Sequence, residues 1–364
     1  MTRSNCHSVG VISWTPLRVT RIVTTGKRGL SSSLVMASRQ KAAKQLGELA
    51  LIARIQRLAP SRNKAVRVGI GDDCAVLNVA AGHEIVVTTD FSLEGRHFRR
   101  DWHSAESAGH RCMARGLSDI AAMGAKPFAA FLSLALSGTY SQTWVDGFLR
   151  AFNALAAQHG VQLAGGDTAQ APGIEILADV TVMGSVAKGK ALLRSTARAG
   201  DSLYVTGSLG GSAAELCKLA AGAISPRRPG RAGQFPQSFP APRVDLGLAL
   251  ARRGLATACM DLSDGLSTDL NHLCRASGVS ALVYRAALPV AAGASLEQAL
   301  HGGEDYELLF TARAATRIPR AIDGICVTKI GEILPRSSSR SSVRIGDSKK
   351  STSLKPQGWQ HLVS

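Results

Sequence analysis

Apolar residues recur at positions 49, 52, 55 and 58 of Gly47–Leu58, a helical spacing that Pro60 and Ser61 end. β-Branched runs follow at Val66–Ile70 and Glu84–Thr89, each bounded by Gly and Asp, the pattern of strands that end in acidic turns. The helical period returns across Ala105–Met123, where Gly124 offers a C-terminal cap and Pro127 forbids continuation. Strands are then expected at Phe128–Leu136, Val161–Ala164 and Ile174–Val182, with a helix at Gln142–His159. A second unit opens near Gly184. It reads as a strand within Ala199–Gly207, a helix from Ser212, and a Pro/Gly/Arg-rich loop over 222–242. Further strands are expected at Ala258–Leu262, Glu307–Phe310 and Ile325–Gly331, and helices at Asp264–Ala276 and Ser295–Leu300. This mixture predicts an α/β (mixed α+β) protein of two domains, 47–184 and 185–364, the second carrying a low-complexity basic stretch at 336–355.

Composition narrows the class. With 45% hydrophobic and 19% charged residues the chain is globular rather than disordered, and its apolar runs fall well short of the roughly 18 residues of a spanning helix. The net charge of +17 suggests a nucleic-acid binder until it is located. Residues 1–46 hold eight basic residues and no acid, and 336–355 hold six against Asp347, so the globular part is nearly balanced. Aromatics at 5%, with no interleaved stacking pattern, weaken the nucleic-acid reading further. Seven scattered cysteines without a C-x-x-C pair argue against a disulfide framework or a zinc site and point to the cytoplasm. The Arg- and Ser/Thr-rich tail at 1–46 reads as disordered. It is either a transit peptide, with an organellar location, or an over-long start preceding Met36.

The chemistry lies in acidic residues beside glycine: Asp72 and Asp73 in GIGDDC, Asp90 in VVTTDFSLEG, Asp119 in GLSDIAAMGA, Asp167 in AGGDT, Asp261 and Asp264 in MDLSDG, and Glu304 and Asp305 in HGGEDYEL. Any one Gly-Asp pair is equally a turn or a cap. Six such sites favour a common purpose. Asp119 is the most telling, because Leu117, Ile120, Ala121 and Met123 mark its helix as buried and a buried carboxylate needs a cation. Oxygen ligands without a His/Cys cluster select Mg²⁺ or Mn²⁺, and Mg²⁺ completes its shell with waters and phosphates, so a nucleoside triphosphate is the expected co-ligand. No G-x-x-x-x-G-K-[ST] loop, kinase H-R-D set or G-x-S-x-G elbow occurs.

In order and spacing, the blocks GIGDDCAVL (69–77), TTDFSLEGRHF (88–98), LSDIAAMGAKP (117–127), GGDT (165–168), DLSDGLSTDL (261–270) and GGEDYELLF (302–310) resemble the thiamine-monophosphate kinase family. That family belongs to the aminoimidazole ribonucleotide synthetase-like superfamily. The resemblance implies a two-domain fold whose N-terminal domain binds ATP and Mg²⁺ and forms a dimer barrel, so a homodimer is expected, with no nucleic-acid or membrane partner. It further implies transfer of the γ-phosphoryl of ATP to thiamine monophosphate, with several Mg²⁺ ions and no catalytic side chain beyond the metal cluster. By position it assigns Asp73, Thr88, Thr89, Asp90, Asp119, Asp167, Asp261 and Asp264 to metal; Gly166, Asp167, Arg194 and Ser263 to ATP; and His97, Glu304 and Trp359 to the acceptor. The acceptor phosphate is already ionised, so charge neutralisation and in-line positioning, not a general base, are what such a reaction requires. The alternatives are a sister synthetase of the aminoimidazole ribonucleotide or selenophosphate type and, in another class, a basic nucleic-acid-binding protein. Selenophosphate chemistry is disfavoured because Cys6 is the one cysteine upstream of the first Asp block and lies far from it.

Removing residues 1–46 should leave melting temperature and turnover unchanged, because the first periodic apolar segment begins at Leu49. A large fall in melting temperature would show that the tail packs on the core.

Overall fold

In a computed structural model, which describes residues 48–59, 63–70, 74–230, 233–336, 342–347 and 349–359, helix α1 (Glu48–Leu58) precedes a small ribbon of β1 (Val66–Val68) and β2 (Val76–Leu77). The 1–46 tail lies outside the described residues. Strand β3 (His83–Leu93) and helix α2 (Ala105–Ala122) come next, followed by β4 (Lys126–Leu136), α3 (Gln142–Gln158), β5 (Gln162–Gln170) and β6 (Leu177–Ala187). The sheet order is β3-β6-β4-β5, antiparallel except for the β4–β5 pair. Because side chains alternate along a strand, β3 turns Val86, Thr88, Asp90 and Ser92 toward α2 and leaves Ile85, Val87, Thr89 and Phe91 on the opposite face. That opposite face is open. Ile85, Val87 and Phe91 are 45%, 57% and 61% exposed.

The second half places β7 (Asp201–Thr206), α4 (Gly211–Ala220), α5 (Val244–Arg252), β8 (Ala258–Asp261), α6 (Leu266–Ser277) and β9 (Ser280–Tyr284) before α7 (Leu296–His301). Then come β10 (Leu308–Arg313), β11 (Ala321–Ile322), β12 (Ile325–Leu334), β13 (Val343–Gly346) and β14 (Ser351–Ser353). They build a second sheet in the order β14-β13-β9-β12-β7-β10-β8, with β11 beside β12. No helix among the described residues is long and apolar enough to cross a membrane.

The structure differs from the sequence reading in three places. The GGDT segment, expected as a turn after a short strand, lies inside β5, where Leu132, Ser133 and Leu134 of β4 pair with Gly166, Asp167 and Thr168. Gly166 serves a close approach: a Cβ there would overlap the Leu132 carbonyl oxygen. Within the basic stretch 336–355 the structure holds two strands the sequence did not single out, β13 and β14, which pair as a hairpin on the sheet edge beside buried Val343 and Leu354. Elements α5 and β9 carry too short a period to stand out in the sequence, and burial of Leu246, Leu250, Ala281 and Val283 is what fixes them.

Helix α2 is the central element. Nearly every residue along it is buried, and it packs on the first sheet, on α3, on α5 and on β8. Such crowding requires small residues, and at Gly109 a Cβ would collide with the backbone of Phe148 in α3. Gly109→Ala should therefore destabilise the fold by about 1–3 kcal/mol in denaturant titrations despite alanine's better helix propensity. A stabilised variant would mean that the two helices can separate freely.

Candidate functional site

One stripe of α2 is polar although the helix is buried. Ser107, Arg111 and Arg115 follow one another at four-residue steps, and Ser118 and Asp119 lie three and four residues beyond Arg115, so the five share a face, which an apolar helix tolerates only if each group finds a partner. Each does. Ser107 Oγ donates to Ser238 O at 2.9 Å, and Ser118 Oγ donates to Asp261 Oδ2 at 2.8 Å. Arg111 Nη2 donates to Glu304 Oε1 and Oε2 at 2.8 and 2.9 Å and to His97 O at 2.8 Å. Arg115 Nη1 donates to Glu304 Oε1 at 3.1 Å, and its Nε stands 4.0 Å from Asp90 Oδ1. The Thr88 hydroxyl donates to Asp119 Oδ2.

Glu304 belongs to a strained loop. Both Glu304 and Tyr306 hold positive φ, 64° and 50°, which non-glycine residues adopt only under outside constraint. The constraint is visible: Gln237 Nε2 donates to Glu304 at 3.0 Å, and Asp305 accepts Gly210 N at 2.7 Å and Ser212 N at 3.2 Å. Glu307 accepts from Arg243 Nε at 2.7 Å and from the Thr206 hydroxyl at 2.6 Å. Burial alone would raise the Glu304 pKa, but the Arg111 and Arg115 guanidinium groups outweigh it and hold the carboxyl at about 2.

Asp90, Asp119 and Asp261 experience the reverse. Asp90 and Asp261 are pushed up to about 7, chiefly by burial and then by the charge of Asp119, while Asp119 is itself raised by burial against the pull of Thr88, Arg194 and Arg115. These three carboxylates, from β3, α2 and the end of β8, are desolvated, mutually repelling and short of positive charge. Among the described residues no three His, Cys, Asp or Glu side chains converge closely enough to hold a metal ion by themselves. A hard cation that keeps waters and shares a ligand's oxygens matches such an incomplete oxygen set.

A cavity of about 360 Å³ joins these groups. Of the residues singled out in the sequence, Asp90, Asp119, Asp261, Asp264, Ser263, His97, Glu304 and Trp359 line it. Arg194 acts on Asp119 and Asp261 from nearby, and Thr88 supports Asp119 from behind. His97 Nδ1 accepts Leu93 N at 3.0 Å, and Trp359 N donates to Asp264 O at 3.1 Å, which brings the C-terminal QGW segment to the cavity.

Three assigned residues stand elsewhere within the chain. Thr89 lies on the open face of the first sheet and donates to Asp179 Oδ1 at 2.9 Å. Gly166 and Asp167 lie in β5, and cross-strand register puts Asp167 in one row with Ser133, Asp179 and Phe91 on that open face. Strand alternation, invisible when each motif is read as a turn, separates Thr89 and Asp167 from Asp90, Asp119 and Asp261. Asp73 lies outside the described residues. Glu304, assigned to the acceptor, lines the cavity but spends its charge on two arginines. Arg111 and Arg115 were missed; the reasoning that singled out Asp119, a charge in an apolar helix, reaches them too.

The chain matches the family models "AIR synthase related protein, N-terminal domain" over residues 71–186 and "AIR synthase related protein, C-terminal domain" over 198–344. It is 39% identical over 302 residues to the thiamine-monophosphate kinase of Salmonella typhimurium, covering 79% of this chain and 90% of the relative. The crystal structure of thiamine-monophosphate kinase from Stenotrophomonas maltophilia aligns with a TM-score of 0.71 at 37% identity, over 82% of this chain and 96% of that one. AaThiL complexed with AMPPCP and TMP aligns with a TM-score of 0.67 at 27% identity, over 88% and 99%.

Glu304→Gln should cost on the order of 3 kcal/mol, because Arg111 is left buried beside a neutral amide. The pH dependence carries a sign. Glu304 titrates at about 2 when folded against an ordinary 4.5 when unfolded, so its contribution is complete above pH 4.5 and lost as pH falls toward 2. Melting curves of wild type and variant should therefore converge across that acid window. A constant difference down to pH 2 would contradict the ion-pair reading.

Proposed function

The chain belongs to the thiamine-monophosphate kinase family of AIR synthase related proteins, and from that membership we propose that it transfers the γ-phosphoryl group of ATP to thiamine monophosphate, giving thiamine diphosphate. The observation that carries the reading is the trio of desolvated, under-neutralised carboxylates, half-buried Asp90 and Asp119 and buried Asp261, facing one cavity in a fold whose relative holds AMPPCP and TMP. Carboxylates in that state repel a bare phosphate, so they suit a cation-bound nucleotide. Mg²⁺ held by Asp90, Asp119 and Asp261, with Asp264 beside them, would neutralise phosphate charge as the bond to the γ-phosphorus changes hands.

The remaining work falls to the chain's own groups. Thr88 and Ser118 orient the carboxylates of Asp119 and Asp261, which keeps their oxygens aimed at the cavity. Arg115 is pinned by Glu304 and, 4.0 Å from Asp90, offsets only part of that carboxylate's charge. Trp359 and His97 supply the wall suited to a thiazolium or pyrimidine ring, since an aromatic face attracts a cation. The acceptor phosphate is itself the nucleophile, so orientation and charge balance, not proton abstraction, carry the step.

Two copies are expected to act together. The open face of the first sheet, with exposed Ile85, Val87 and Phe91, suits burial against a second copy, in keeping with the dimer barrel that the family resemblance implies. Asp167 and Thr89 share that sheet surface, so their assigned roles would have to be met in the dimer rather than in the lone chain.

With ATP and Mg²⁺, the purified protein should convert thiamine monophosphate to thiamine diphosphate. Asp119→Asn and Asp261→Asn should each lower turnover by about 100-fold or more, near 3 kcal/mol of transition-state stabilisation. Their ligand-free melting temperatures should hold or rise, because each amide removes a mutual repulsion. Near-normal turnover in both variants would overturn the metal role of the trio.

A further inference from the structure

The cavity carries five carboxylates, Asp90, Asp119, Asp261, Asp264 and Glu304, and two guanidinium groups, Arg96 and Arg115. Arg115 is spent on Glu304 and Asp90. Arg96 is exposed, and its guanidinium makes no hydrogen bond or ion pair among the described residues. The backbone beneath it is fixed nonetheless. Arg96 N and His97 N both donate to Leu93 O, at 3.1 and 2.8 Å, and Gly95 N donates to Phe98 O at 2.8 Å. Phe98 is 3% exposed, and Arg111 Nη2 ties down His97 O at 2.8 Å. A rigid turn thus carries a long, unpaired cationic arm on the wall of a mostly acidic cavity.

A phosphate monoester entering this cavity meets several negative charges besides the donor it must approach. A guanidinium fork matches two phosphate oxygens at once, which makes arginine the side chain best suited to hold such a group. The cations whose fields reach Asp119 are Arg194 and Arg115, whereas Arg96 shares its turn with His97. An in-line transfer needs the two reacting phosphates on opposite sides of the moving phosphorus, so a cation apart from the carboxylate trio suits the acceptor and not the donor.

Building on the function proposed above, we propose that Arg96 is the acceptor-positioning residue: it clamps the phosphate of thiamine monophosphate and sets the preference for phosphorylated over unphosphorylated acceptor. It adds positive charge where the carboxylates lack it.

The test compares wild type, Arg96→Ala and Arg96→Lys with thiamine monophosphate and ATP as varied substrates, and with unphosphorylated thiamine as a competitive inhibitor. Wild-type turnover comes first: a protein that fails to phosphorylate thiamine monophosphate overturns the proposed function and this assignment with it. Given turnover, Arg96→Ala should raise the KM for thiamine monophosphate about tenfold or more, the worth of a charge-assisted hydrogen bond, with the KM for ATP changed less than about twofold. The inhibition constant of thiamine should stay unchanged, and Arg96→Lys should recover part of the loss, because lysine keeps the charge and not the fork. An unchanged KM for thiamine monophosphate, an equal rise for ATP, or an equal weakening of thiamine would each overturn the role of Arg96 while leaving the kinase reading standing.

Discussion

Two arginines inside α2 set the terms for the rest of the molecule. Arg111 and Arg115 lie one turn apart on a helix buried along its length, and a guanidinium cannot shed its charge to escape burial. Glu304 reaches both from the second half of the chain. Because α2 packs against the first sheet and Glu304 stands just before β10 of the second sheet, this pairing fixes the GGEDYE loop against α2 and with it one wall of the cavity. The positive φ values of Glu304 and Tyr306 are the conformational cost of that reach.

The charge left over is as informative as the charge that is matched. Glu304 is neutralised by Arg111 and Arg115 and Glu307 is paired with Arg243, whereas Asp305 takes two backbone amides yet is still pushed up to about 7 by burial, and Asp90, Asp119 and Asp261 are left with too little positive charge. An acidic cluster serving only stability would be expected to acquire cationic partners, as Glu304 and Glu307 have. Under the function proposed above, three desolvated carboxylates without a sufficient counter-charge suit a cation that a nucleotide's phosphates would bring.

Much of this was legible in the sequence. Helical periodicity located α2 and α3, and the apolar neighbours of Asp119 were enough to identify a buried charge. What could not be read was direction. Thr88 and Thr89 look alike in a sequence and face opposite sides of β3, and GGDT reads as a turn until its pairing with β4 is known. The same limit hid Arg111 and Arg115, whose partner lies 193 and 189 residues away. Elements α5, β9, β13 and β14 are short enough that tertiary burial, not local pattern, decides them.

The carboxylate trio's need for an external cation is tested most directly by calorimetric titration of the full-length protein with AMPPCP at neutral pH, with and without Mg²⁺. Binding should be strong with the metal and lost or greatly weakened without it, because the nucleotide's phosphates would then face Asp90, Asp119 and Asp261 unshielded. Equally tight binding in the presence of a chelator would contradict that need and show that the nucleotide is held by some other surface of the fold.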